Sequence, residues 1–161
     1  DAVAPHRPPA EFREIIQRAI ANEEAAERFY RKAADACRTP ETRAVLEDLA
    51  RDEQGHKQIL LDLMEGKRSL PTATTAPGSV LETFGTPELT PDMSAADAFL
   101  LAARKEKMAV ELYENWAGLY PAGPDRDLLL QLAEVERRHK AYVEQMFTNA
   151  SFPEDFFEPQ Q

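Results

Sequence analysis

A single cysteine in 161 residues leaves Cys37 nothing to pair with inside the chain. An internal disulfide, a zinc ribbon and a Cys-x-x-Cys redox motif are all excluded. Cys37 itself reads as a small core or interface residue, not as a nucleophile. Glycine is scarce, at 6, and no apolar run approaches the roughly 18 residues of a membrane-crossing helix. Positive charge is in deficit: 19 Lys and Arg stand against 29 Asp and Glu, a formal net charge of -10. Nucleic acid and anionic membrane surfaces are therefore poor partners. Most of the carboxylates read as a solvated acidic surface. One unpaired cysteine suits a reducing cytoplasm, the expected location. The chain starts at Asp1, not Met, so an upstream targeting segment stays open.

What the chain has is helix-forming material. Hydrophobic residues make up 43%, too many for a disordered chain. Ala, Leu, Glu and Arg dominate, a mix that favours helix over sheet. The length fits one domain, 1–161, with a core of its own. Apolar positions at helical spacing predict helices over about 10–37, 41–65, 92–117 and 125–147. Phe12, Ile16, Ile20, Ala26, Tyr30, Ala33 and Ala34 mark the first. Val45, Leu46, Leu49, Ile59, Leu60 and Leu63 mark the second. Phe99, Ala102, Ala103, Ala109, Val110, Tyr113 and Trp116 mark the third. Thr39-Pro40-Glu41 has the form of a cap, a first-turn proline and an acidic first turn, and Gly66 that of a stop.

Residues 1–9 read as an irregular arm carrying His6. Residues 66–91, rich in Pro, Gly and Thr, form a long connection in which Val80, Leu81 and Phe84 should pack down. The tail 148–161 holds Phe152, Phe156 and Phe157, which should dock on the bundle or on a neighbour. Short, long and short connections point to an all-α four-helix bundle with one long crossover between the second and third helices. That is the connectivity of ferritin-like folds.

The chain also repeats itself. Leu49-Ala50-x-x-Glu53-x-x-His56-Lys57 returns as Leu132-Ala133-x-x-Glu136-x-x-His139-Lys140, an offset of 83 residues. The same offset carries Glu23, Ala26 and Tyr30 onto Glu106, Ala109 and Tyr113. Eight identities thus fall in one register, on helix faces and not in loops.

Glu23 shares its face with Ile16, Ile20 and Tyr30, and Glu106 shares its face with Phe99, Ala103 and Tyr113. Both carboxyl groups therefore point inward, where an unpaired charge costs several kcal/mol or is neutralised by a proton. Glu53 and His56 are three apart and reach one point, as do Glu136 and His139. Four carboxylates and two imidazoles converging in a core call for positive charge, and two divalent ions supply it. One Glu on each of two helices, with Glu-x-x-His on each of the other two, is the ligand set of di-iron and di-manganese carboxylate bundles. Mixed oxygen and nitrogen donors suit iron first, with manganese or zinc as alternatives.

Each feature alone has an ordinary explanation. A single Glu-x-x-His is usually a surface accident, and an Ala-rich stripe is usually core. The case rests on Glu23, Glu53, His56, Glu106, Glu136 and His139 sharing one register. Glu27 also lies toward the inside, but its counterpart is Val110, so it belongs either beside the ligands or at the bundle edge. Tyr30 and Tyr113 follow their Glu by two turns. Each phenol can orient a carboxylate of the opposite half, or serve as an ordinary buried tyrosine.

Asn-Glu23-Glu-Ala-Ala26-Glu-Arg-Phe-Tyr30, Leu-Ala-x-x-Glu53-x-x-His56 and their second copies resemble the rubrerythrin branch of the ferritin-like superfamily, over about residues 10–147. The resemblance implies that Glu53 and Glu136 bridge two metals. Glu23 and His56 would be terminal ligands to one ion, Glu106 and His139 to the other. Typical rubrerythrins add a rubredoxin-like domain with iron on four cysteines. This sequence has one cysteine, so the electron donor would be another protein. Ala109 stands where those proteins carry an additional carboxylate, which counts against their peroxide-linked iron movement.

The leading expectation is an oxidoreductase that oxidises Fe(II) at a dinuclear site with hydrogen peroxide or dioxygen. The alternatives are a metal-binding, iron-handling protein without turnover, and a structural or interaction bundle. A homodimer is the expected assembly, as the commonest closed oligomer.

Overall fold

The computed structural model describes residues 9–70 and 85–152, with side chains from Phe12 onward. His6, Val80, Leu81, Phe84, Phe156 and Phe157 lie outside the described residues. Four helices follow in order: α1 Pro9–Ala36, α2 Pro40–Met64, α3 Ala95–Ala117 and α4 Pro124–Ser151. The architecture is an all-α, ferritin-like four-helix bundle, with no strand among the described residues. No described helix is long and apolar enough to cross a membrane.

Prolines open α2 and α4 at the first helical turn, where a missing N–H leaves no bond unmade. Thr39 precedes α2 with extended backbone, but its side chain makes no capping bond. The cap read into Thr39 is thus positional only. Gly66 ends α2 as expected. Its φ of 74° lets its own N–H reach the Leu63 carbonyl and the Lys67 N–H reach Asp62, closing the last turn.

Two boundaries differ from the periodicity. α3 starts at Ala95 rather than near residue 92, because the Ser94 hydroxyl accepts the Asp97 N–H at 3.0 Å. The residues before it are held by the α1–α2 loop. The Arg38 N–H donates to the Pro91 carbonyl at 2.8 Å, and the buried Thr42 hydroxyl donates to the Met93 carbonyl at 2.8 Å. α4 continues to Ser151, since no Gly or Pro intervenes until Pro153.

Those two bonds also locate the crossover. They join the start of α3 to the start of α2, while the chain leaves α2 from its far end. A helix of 25 residues spans on the order of 37 Å at its 1.5 Å rise. The two ends of the connection are therefore about that length apart.

α1 packs chiefly on α2, and α3 chiefly on α4. The apolar interior falls into two clusters. One gathers Tyr30, Ala34, Leu46, Leu49, Ala50, Ala98, Ala102 and Val143; the other gathers Tyr113, Ala117, Leu129, Leu132, Ala133, Ile15, Ala19 and Leu60. Every residue in the first group has its 83-residue counterpart in the second. The halves therefore face each other about an approximate two-fold axis, with each cluster drawing on both halves. Leu46 and Leu129, both fully buried, each contribute roughly 1.5–3 kcal/mol of burial. Cys37 lies in the first cluster at 2% exposure, its thiol directed at the Thr39 carbonyl, as a small core residue.

Candidate metal centre

Between the two apolar clusters lies a polar layer. Glu23, Glu53, Glu106 and Glu136 are each buried to 5–6% exposure, an unusual density of acid in a core. α1 supplies Glu23 from the face that also buries Ala19 and Tyr30. α3 supplies Glu106 from the face of Ala102 and Tyr113. α2 and α4 supply the paired residues. His56 Nδ1 lies 3.2 Å from Glu53 and 3.5 Å from Glu23. His139 Nδ1 lies 3.3 Å from Glu136 and 4.0 Å from Glu106. Each imidazole thus faces the two carboxyl groups of its own half. The two rings stack across the axis, with centroids 3.3 Å apart and planes within 4°.

All six residues singled out from the sequence meet in this layer. The candidate ligand atoms of Glu23, Glu53 and His56 lie within 4.8 Å of one another, and so do those of His56, Glu106 and His139. Glu136 completes the second half through contacts with His139, Glu106 and Glu23.

The electrostatics divide the carboxyl groups into two kinds. Burial, reinforced by Glu53 and Glu136, pushes Glu23 far above the ordinary carboxyl value. Burial, then the contact with Glu136, does the same to Glu106. Glu53 and Glu136 are also desolvated, but hydrogen bonds from the neighbouring imidazoles and from the protonated partners outweigh burial. Glu53 falls below the ordinary value and Glu136 falls to about 2. Without a cation, Glu23 and Glu106 are thus pushed toward the neutral form and Glu53 and Glu136 toward the charged one. A donor set that must hold protons to limit its own repulsion fits a group bringing positive charge.

The phenols sit at the edges of the layer. Tyr113 hydrogen-bonds the Asn22 amide, one residue before Glu23. Tyr30, 1% exposed, has its phenol pushed well up by burial and then by Glu53, Glu106 and Glu23. Glu27 belongs to the bundle edge, where it pairs with Arg31 at 2.9 Å.

Three neighbours escaped the sequence reading. Asn22 directly precedes Glu23, but its counterpart is Lys105, so the repeat gave no signal. Lys105 is half-buried with its ammonium 3.7 Å from the centre of the Phe29 ring; desolvation lowers its pKa while Glu53 opposes the shift. Asp52 lines the cavity beside the imidazoles, and its counterpart is Val135.

Residues 14–88 match the rubrerythrin family model. The matched span begins in α1 and includes α2 with Glu23, Glu53 and His56, so the first half of the layer lies on a rubrerythrin-like segment. No curated protein and no solved structure is significantly similar to the chain.

Proposed function

We propose that this rubrerythrin-like chain is a di-iron carboxylate oxidoreductase, oxidising Fe(II) at a dinuclear site with hydrogen peroxide or dioxygen. The observation that carries the reading is the convergence of two Glu-x-x-His pairs and two further buried Glu on one polar layer. Glu53 and Glu136 would be shared between the two ions, with Glu23 and His56 completing one half of the site and Glu106 and His139 the other. When bound, two Fe(II) ions supply the two electrons that turn one hydrogen peroxide and two protons into two waters.

The chain's own part is positional and electrostatic. Glu23 and Glu106 would release their protons on cation binding, so that four carboxylates balance two divalent ions. The apolar clusters on either side keep bulk water from the layer and hold the four helices at fixed spacing. Asn22 steadies Tyr113 beside Glu23, which limits the motion of that carboxylate. Turnover needs a reductant from outside the bundle, and a homodimer is the assembly we propose.

Ala109 favours a second reading, an iron-handling protein without turnover, because the carboxylate expected at that place is missing. The test is direct. The full chain is loaded anaerobically with Fe(II) and given one equivalent of peroxide per two irons. Rapid appearance of ferric absorption supports oxidation at the site; full iron occupancy with no such change sinks it. Sustained peroxide consumption with a supplied reductant separates the enzyme from the iron-handling protein.

A further inference from the structure

Two cavities flank the stacked imidazoles on the α2–α4 face, and the approximate two-fold axis relates them. The first, about 150 Å³, is lined by Asp52, Glu53, His56, Glu106, His139 and Tyr142, among others. The second, about 180 Å³, is lined by Ile59, Val135, Arg138 and His139 together with residues 68–70. Stepping by 83 residues sets Asp52 against Val135 and Tyr142 against Ile59. It also sets Gly55 against Arg138. The side chain that lies over the second cavity therefore has no equivalent at the first. A Cβ added at Gly55 would meet no atom within 4 Å, so that position opens on free space.

The ligands are symmetric and the ways in to them are not. One mouth carries the Asp52 carboxylate and the exposed Tyr142 phenol. The other is lined by Arg68 and by Arg138, whose guanidinium also pairs with Glu134 at 3.5 Å, and by no carboxylate among the described residues. A hydrated divalent cation is drawn to the first and repelled by the second, and a charged, narrow cleft concentrates that field. We propose that divalent metal reaches the centre through the Asp52 cavity and not through the Arg138 cavity. This rests on the dinuclear reading above and adds the direction of loading.

The probe is Co(II), followed by visible absorption in a stopped-flow instrument, mixed with the chelator-stripped full chain. Equilibrium uptake is measured separately by dialysis. Three variants carry the test. Asp52→Asn removes the carboxylate charge, Gly55→Arg gives the open mouth the residue of the closed one, and Arg138→Gly clears the closed one. Asp52→Asn and Gly55→Arg should each slow association by roughly tenfold and flatten its dependence on salt. Both should still bind two Co(II) at equilibrium and melt close to wild type. Arg138→Gly should load at the wild-type rate or faster, since it lifts the barrier at the second mouth. Wild-type rates in both Asp52→Asn and Gly55→Arg overturn the route, as does marked slowing by Arg138→Gly. A wild-type chain that takes up no Co(II) at equilibrium overturns the dinuclear reading itself, and the route with it.

Discussion

Raising the pH should destabilise the metal-free protein, and Glu23 and Glu106 set the effect. In the unfolded chain both titrate near 4.5; in the fold both are held far higher, by burial first and by their carboxylate neighbours next. Below the unfolded value both states keep the proton, and the contribution of these groups is fully present. Above it the unfolded chain releases its protons while the fold retains them. Each group then shifts the balance toward unfolding by up to about 1.4 kcal/mol per pH unit, until the folded pKa is passed. Two groups between pH 5 and 7 give an upper limit of about 5 kcal/mol.

Glu53 and Glu136 run the other way. Their folded values are lowered, so their contribution is present above 4.5 and lost only as pH falls through the folded values, below this window. Relaxation of the layer and water penetration reduce the limit, but even about 2 kcal/mol moves the melting midpoint by roughly 4–8 °C in a domain of this size. The assay is thermal unfolding by far-ultraviolet circular dichroism, in chelator, at pH 5, 6 and 7. The midpoint should fall across that series. The Glu23→Gln/Glu106→Gln double variant, which copies the protonated state without titrating, should flatten the slope. A wild-type midpoint that is level or rising, or a double variant with the wild-type slope, refutes the reasoning.

Other outcomes follow from the same layer and its supports. Co(II) at about 100 times its dissociation constant should stabilise the fold by about 2.7 kcal/mol per site, read as a raised melting midpoint. Replacing Glu53 and Glu136 together by Ala should abolish binding of two ions in equilibrium dialysis. Thr42→Val removes the donor to the buried Met93 carbonyl and should cost roughly 1–2 kcal/mol in urea unfolding. Gly66→Ala puts a side chain at a φ of 74° with no atom near enough to clash. Its cost should be the conformational one alone, about 1 kcal/mol by the same measurement.

The helices were legible because burial in a bundle imposes a 3.6-residue period, and α1 and α2 fall within a residue of where that period puts them. Ends set by contacts distant in sequence were not legible. Nothing near Pro91–Met93 announces that Arg38 and Thr42 will hold these residues out of α3. The meeting of Glu23, Glu53, His56, Glu106, Glu136 and His139 was legible because the repeat doubled a signal too weak to read once. Asn22, Asp52 and Lys105 were not, because each breaks the repeat.

Covalent spacing and helical period depend only on the chain, so the sequence by itself determined four helices, their inward carboxyl groups and the pairing of Glu with His at three residues' distance. Tertiary structure alone decided how the halves meet. It stacked His56 on His139, brought Tyr113 to Asn22 of the other half, and separated four chemically equal Glu into two with raised and two with lowered proton affinity. It also placed Asp52 at one cavity and Arg138 at the other. Each of those outcomes depends on distances between helices, and Coulomb energy and desolvation vary too steeply with such distances to be read from one strand of residues.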